Sequence, residues 1–181
     1  KKNILMACRM LSDKGVKEFC ASAKYLSQDD RGIKFLLAGP TDELSPTSIS
    51  EKELKSLCID SNVEYLGDRE DINLLIASAS IFVLPSYYPE GVPKVLMEAA
   101  SCGTPVITTD HPGCRDAIKE NVTGILVEPR NPEEITKAIL NMLDHPETLK
   151  KMAKASRKLA EDYFDENEVV CQHYRIYQQL L

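Results

Sequence analysis

Short apolar runs alternate with helical patterns along most of the chain, and this alternation constrains the fold more than any other feature. The runs are rich in Val, Ile, Leu and Phe, which is typical of strands that are buried on both faces of a sheet. Between them, apolar residues such as Val16, Phe19 and Ala23 recur with the period of an amphipathic helix. The pattern predicts an α/β fold, a Rossmann-like doubly wound parallel sheet with helices on both faces. The predicted strands are 4–8, 33–38, 63–66, 81–84, 105–108 and 124–127.

The last third of the chain lacks strand patterns and predicts helices. Asn131 is an N-cap candidate, Pro132 suits the first helical position, and two acidic residues follow. We predict helices over 132–145, from 146 to about 164, and from about 166 to 177. We therefore divide the chain into a Rossmann-like domain over 1–164 and a C-terminal helical extension over 165–181.

Composition narrows the class of protein. The 181 residues suffice for one well-packed domain, and the net charge of -6 argues against a nucleic-acid partner, which would need a basic face. The six Cys include no pair at the CxxC spacing and the three His are scattered, so we expect no metal site. Dispersed free Cys favour a reducing compartment, and we expect a cytoplasmic protein. No apolar run reaches the length of a membrane span.

The chain opens on Lys1 and enters its first predicted strand almost at once. We interpret it as a piece of a longer protein that begins at a domain boundary.

Residues that could carry chemistry follow the predicted strands. In open α/β sheets, ligands bind at the carboxyl ends of the strands. Arg9 follows the first strand, Gly39 the second and Gly67 the third. The two glycines are read either as the border of a binding site or as tight turns that need a permissive backbone.

The stretch from Glu90 to Glu98 follows the fourth strand and a short loop. Pro93 suits a first helical turn, so backbone N–H groups near Gly91 and Val92 are expected to face the cleft at the positive end of a helix dipole. The segment predicts a cradle for a diphosphate with a carboxylate on either side. A nucleotide sugar fits such a site, because its hydroxyl groups can donate to the carboxylates.

Two cations accompany this segment. Arg9 and Lys14 flank the loop between the first strand and the first helix, where both can point over the strand ends. An Arg binds a diphosphate through its planar fork and a Lys as a point charge. We therefore expect both to neutralise the diphosphate.

Glu90 and Glu98 resemble the Glu-x7-Glu motif of the retaining GT-B glycosyltransferases, the group 1 family that includes many bacterial polysaccharide and lipid-carrier sugar transferases. The resemblance implies that Glu90 contacts the donor sugar near the reacting carbon and that Glu98 binds the ribose. It also implies that Arg9 and Lys14 stabilise the leaving nucleoside diphosphate. Gly91, Val92, Pro93, Gly39 and Gly67 would border the donor.

The segment 108–116 after the fifth strand refines the resemblance. Gly113 and Asp116 stand where the family has a Gly-rich turn followed by an acid. The Pro-Gly-Cys-Arg version resembles transferases that act on polyprenyl-diphosphate-linked sugars in surface glycan assembly. Arg115 could pair with Asp116 or with a neighbouring helix.

The resemblance covers only the C-terminal, donor-binding half of such an enzyme. It implies a retaining, metal-independent transfer with no cofactor and with a nucleotide sugar, UDP-sugar favoured, as the donor. The missing N-terminal half would bind the acceptor saccharide or the polyprenyl-diphosphate-linked sugar and would make any membrane contact, at the inner face. We expect this piece to be inactive alone, with Tyr174, Ile176, Tyr177 and Leu180 of the last helix crossing back to the absent half.

Three other functions remain open. A sugar-nucleotide epimerase of related fold would also bind a nucleoside diphosphate, but it needs a set of acids and bases that this half does not obviously offer. A plain dinucleotide-binding Rossmann domain predicts G-x-G-x-x-G after the first strand, where this chain has the segment 9–15, RMLSDKG. A non-enzymatic interaction module would leave the cleft residues unexplained.

Overall fold

A single parallel sheet organises the computed structural model, which describes residues 2–180. Its six strands lie in the order β3-β2-β1-β4-β5-β6. The predicted doubly wound α/β fold is confirmed. The strands are β1 (Lys2–Ala7), β2 (Ile33–Ala38), β3 (Val63–Tyr65), β4 (Ile81–Leu84), β5 (Val106–Thr109) and β6 (Gly124–Val127).

The predicted strands are all present, with shifts of one or two residues at three of them. The first strand ends at Ala7 rather than at Cys8, and the fifth begins at Val106 rather than at Pro105. All four residues of β4 and of β5 are buried, as expected of strands that are covered on both faces.

Helices cover the two faces of the sheet. Ser50 begins α2 by accepting a hydrogen bond from the Glu53 N–H, and Asn131 begins α6 by accepting one from the Glu134 N–H. The helices are α1 (Val16–Tyr25), α2 (Glu51–Ser61), α3 (Ile72–Ser78), α4 (Lys94–Ser101), α5 (Pro112–Arg115), α6 (Pro132–Asp144), α7 (Pro146–Tyr163) and α8 (Glu166–Leu180).

The C-terminal helices differ in how they pack. Helix α6 packs against α1, and α7 packs against α4. Helix α8 contributes no buried residue, and Tyr174, Ile176, Tyr177 and Leu180 are all exposed. The division at residue 165 and a crossing of these residues to another domain stay predictions. Within residues 2–180, no helix is both long enough and apolar enough to cross a bilayer.

The strand order places a topological switch point between β1 and β4. From these two strands the chain winds outward in opposite directions, and ligands of such sheets bind in the crevice outside the carboxyl ends of the strands at this point. Lys14 lies in the loop after β1 and Glu90 in the loop after β4. The fold therefore brings to one crevice two residues that are 76 positions apart in sequence.

Candidate functional site

The loop after β1 folds back on the loop after β4. A short 3-10 turn, Ser12–Lys14, ends at Gly15, which adopts the left-handed conformation with φ 84° and caps α1. A Cβ at Gly15 would lie 2.4 Å from the Pro85 carbonyl oxygen. This glycine thus permits both the tight turn and the close approach of the two loops.

Lys14 occupies the junction between these loops. Its side chain is nearly buried, and its ammonium forms an ion pair with a carboxylate oxygen of Glu90. The same ammonium lies 4.6 Å from the centre of the Tyr88 ring. The structure thus joins two residues predicted to be catalytic and adds an aromatic partner, Tyr88.

Glycine 113 fixes the backbone at the start of the Glu90–Glu98 segment. A Cβ at Gly113 would lie 2.2 Å from the Gly91 carbonyl oxygen and 2.5 Å from that of Glu90. Gly91 itself has open space around its Cβ position and no left-handed φ. The close backbone contact therefore requires glycine at position 113, not at position 91. Gly113 lies in α5, a helix that the sequence did not predict.

The expected position of Pro93 is wrong by one residue. Pro93 is the extended N-cap, with φ -62° and ψ 124°, and α4 begins at Lys94. The N–H groups of Gly91 and Val92 precede the helix and donate to no backbone acceptor within residues 2–180. Two donors of the predicted cradle thus remain available at the positive end of α4.

Glu98 lies on α4 and lines a cleft of about 210 Å³ at the carboxyl ends of the strands. Its side chain is 39% exposed, and Lys94 one turn earlier forms a 3.5 Å ion pair with it. Apolar walls come from Ile72 and Val95, and Asp68 adds a second carboxylate. The cleft combines an apolar surface with two acceptors, which suits a planar base attached to a sugar.

Gly39 lines the same cleft, and Gly67 is hydrogen-bonded to Gly39. Gly39 has φ 130°, and a Cβ there would lie 1.9 Å from the Cys8 carbonyl oxygen. Its N–H donates to the Gly67 carbonyl at 2.8 Å, and the Tyr65 hydroxyl donates to the Gly39 carbonyl at 2.7 Å. Gly67 has φ 71°, so both glycines adopt backbone conformations that favour glycine, and Gly39 also lines the cleft.

Arg9 does not join Lys14 at the ion pair. Its guanidinium donates to Asp42, in the loop after β2, at 2.8 Å, and its side chain is 50% exposed. No sequence pattern singles out Asp42, since that loop has no periodicity. Both predicted diphosphate cations thus have a carboxylate partner from another loop.

Burial raises the pKa of two groups near these loops. The Cys8 thiol is desolvated next to the cleft, and this burial raises its pKa to about 12 despite the nearby Lys14 charge. Burial likewise raises the pKa of the Glu18 carboxyl on α1 above its usual range, against the opposing charge of Arg130. Arg130 stacks over the Tyr87 ring at 4.5 Å and is a further residue that the sequence did not indicate.

Arg115, in the segment after β5, makes a local ion pair. Arg115 donates to Asp110 at 2.5 Å, and not to Asp116 or to a neighbouring helix. Buried Cys114 and Thr109 both donate to the Ser86 carbonyl, which anchors α5 and the end of β5 to the loop after β4. Within the described part of the chain, no group of three or more His, Cys, Asp or Glu side chains could hold a metal ion.

A parallel sheet in this order, with loops that meet at the β1/β4 switch point, defines a Rossmann-like domain of the kind that forms one half of a GT-B glycosyltransferase. The chain belongs to the family described as Glycosyl transferases group 1, whose sequence model matches residues 1–159.

Three similar proteins illustrate this membership. The chain is 34% identical over 181 residues to N,N'-diacetylbacillosaminyl-diphospho-undecaprenol alpha-1,3-N-acetylgalactosaminyltransferase of Campylobacter jejuni, covering 100% of this chain and 46% of that protein. Sucrose-phosphate synthase of Thermosynechococcus elongatus superposes with a TM-score of 0.86 at 26% identity, covering 99% of this chain and 45% of that one. HepE of Anabaena, solved in complex with UDP, superposes with a TM-score of 0.82 at 23% identity, covering 98% and 48%. The chain thus spans about half the length of these proteins.

Proposed function

We propose that the chain is the donor-binding half of a retaining glycosyltransferase, which transfers a sugar from a nucleoside-diphosphate sugar to an acceptor. The observation that carries the proposal is the contact of Lys14 with Glu90 at the switch point, directly before the start of α4. A cation, two available N–H groups and a carboxylate within one crevice are the groups that a departing diphosphate and a reacting sugar require.

In the proposed reaction, the bond between the anomeric carbon and the diphosphate oxygen breaks, and negative charge develops on that oxygen. Lys14, Arg9 and the N–H groups of Gly91 and Val92 stabilise this charge. We propose that these groups carry the charge without a metal ion. Glu90 lies beside Lys14 and would face the donor sugar. The acceptor hydroxyl oxygen forms the new bond to the anomeric carbon on the same face as the old one, and its proton passes to the departing diphosphate oxygen.

Glu98 would bind the ribose hydroxyls in the cleft that it shares with Gly39. The volume of about 210 Å³ lies below the roughly 300–1,000 Å³ of pockets that enclose a whole small ligand. This smaller size supports a cleft that is completed by a second domain, whose closure would exclude water from the reaction.

The comparisons support a UDP-sugar as the donor and a lipid-linked saccharide as the acceptor. HepE was solved with UDP and, in another structure, with UDP-glucose. The Campylobacter jejuni relative is named for a diphospho-undecaprenol acceptor. We propose the acceptor class from that name, and a role in bacterial surface polysaccharide or glycan assembly. Membership of the family favours glycosyl transfer over epimerisation, dinucleotide binding or a purely structural role.

Calorimetric titration of the chain with UDP, GDP and ADP tests the proposal. We expect one nucleotide to bind, and Lys14→Met and Glu98→Gln each to weaken it by about tenfold or more, since each removes a hydrogen bond that involves a charged group. The matched control is Lys150→Met, which removes a lysine of α7 whose ammonium pairs with Glu147 on the same helix. Equal affinities of the wild type and both site variants would contradict the proposal.

A further inference from the structure

The environment of the Lys14 ammonium is unusual for a lysine. The residue is only 7% exposed, although a buried ammonium loses hydration that must be replaced by other partners. An ammonium has three N–H donors, yet within residues 2–180 its side-chain hydrogen bonds include one acceptor, a carboxylate oxygen of Glu90. The second partner is the face of the Tyr88 ring, 4.6 Å away.

The consecutive residues Tyr87 and Tyr88 have different surroundings. The Tyr87 hydroxyl donates to the Ser12 carbonyl at 2.9 Å, and its ring lies under Arg130. The Tyr88 N–H donates to the Ser86 hydroxyl at 3.3 Å, which fixes the backbone from which the ring reaches Lys14. Tyr87 thus connects the loop after β4 to the loop after β1, whereas Tyr88 contacts Lys14 of the candidate site.

An aromatic partner differs from a carboxylate in its effect on a lysine. A carboxylate neutralises the ammonium, but a ring attracts it through a quadrupole and leaves its full positive charge. In the proposed function, Glu90 must turn to the donor sugar, and Lys14 then loses its only side-chain acceptor in the described chain. The Tyr88 ring would keep the ammonium in place with its charge available to the diphosphate.

We infer that Tyr88 is a positioning residue, whose ring holds the Lys14 ammonium where the leaving diphosphate meets it. This inference rests on the proposed function and adds a residue to it. It specifies an aromatic ring, and not a hydroxyl, as the group that matters at this position. The Tyr88 hydroxyl would then be dispensable.

The test compares Tyr88→Phe and Tyr88→Leu in calorimetric titrations with UDP and with UMP. Loss of the ring should weaken UDP binding by about three- to tenfold, the range of a partly buried cation–π contact, and should affect UMP less because UMP lacks the second phosphate. Tyr88→Phe should bind UDP within about twofold of the wild type, because it keeps the ring. Thermal unfolding of each variant checks that it is folded.

A double-mutant cycle with Lys14→Met separates positioning from a general structural effect. If Tyr88 acts through Lys14, Tyr88→Leu should weaken UDP binding no further in the Lys14→Met background. The inference is overturned if Tyr88→Leu weakens UDP and UMP equally, if its effect persists without Lys14, or if Tyr88→Phe fails to restore binding. UDP binding that is weakened by Lys14→Met but not by Tyr88→Leu overturns this inference alone. Absence of binding of UDP, GDP and ADP to the wild type overturns the proposed function as well.

Discussion

Substitution of Gly113 by alanine should displace the backbone that carries Glu90. The added Cβ would lie 2.2 Å from the Gly91 carbonyl oxygen, whereas carbon and oxygen atoms make ordinary contact at about 3.3 Å or more. The two backbones must therefore separate by roughly 1 Å. Both neighbouring oxygens belong to the backbone, so rotation of a side chain cannot relieve the contact.

Overpacking of this kind costs about 1–3 kcal/mol of unfolding free energy. In a domain of this size each kcal/mol lowers the Tm by about 2–4 °C, so we expect a decrease of about 2–12 °C. A shift of about 1 Å at the Gly91 N–H should also break one hydrogen bond to the diphosphate. The loss of about 1.5 kcal/mol corresponds to a roughly tenfold weaker affinity for UDP.

Circular dichroism melting and UDP titration measure the two effects of Gly113→Ala. Gly91→Ala is the matched control for the melting curve, because its added Cβ meets no atom within 4 Å and its φ is not left-handed. We expect the control to melt within about 2 °C of the wild type, as is usual for a substitution without new contacts. Wild-type melting and wild-type UDP affinity in Gly113→Ala would show that Gly113 does not hold the backbone of Glu90 and Gly91 in place.

Two further predictions concern ion pairs. Asp42→Asn should free Arg9 and raise the affinity for UDP by up to about fivefold, which is the most that breaking a half-exposed ion pair can contribute. Calorimetry should show no such gain in an Arg9→Ala background. A lower affinity of Asp42→Asn for UDP would contradict the prediction. The Arg31 guanidinium lowers the pKa of Asp29 from its usual 3.8 to about 2. The ionised carboxylate therefore stabilises the folded state fully at a pH above 3.8, and this contribution is lost as the pH falls towards 2. Melting curves should show Asp29→Asn below the wild type at pH 6 and the two converging towards pH 2, with Asp30→Asn as the control; a difference that is independent of pH would contradict this.

The sheet and its flanking helices were predictable because they depend on local periodicity. Four-residue buried strands such as Ile81–Leu84 are continuous apolar runs, and the α6 start carries its cap and its proline in the sequence. The four-residue helix Pro112–Arg115 was missed because so short a segment has no period to detect. Pro93 was placed one residue too far into its helix, since proline also fits the extended position that precedes the first turn.

The candidate site was predictable only in part. Residue type and position after a strand indicated Glu90, Lys14 and Glu98, because parallel strands bring their carboxyl ends to one edge. The partners of these residues are set by contacts between loops that are distant in sequence, so local sequence patterns do not predict which residues pair. Asp42 pairs with a residue 33 positions away, and the Gly113 contact depends on how α5 lies against the backbone before α4.

The most direct test of the central claim is a crystal structure of the chain soaked with UDP. We expect the diphosphate to lie within hydrogen-bond distance of the Gly91 and Val92 N–H groups and of the Lys14 ammonium, and Glu98 to accept from the ribose. Lys14 should then be shared between the diphosphate and the Tyr88 ring. A nucleotide bound away from this crevice, or one that makes no contact with Lys14 and Glu98, would contradict the account.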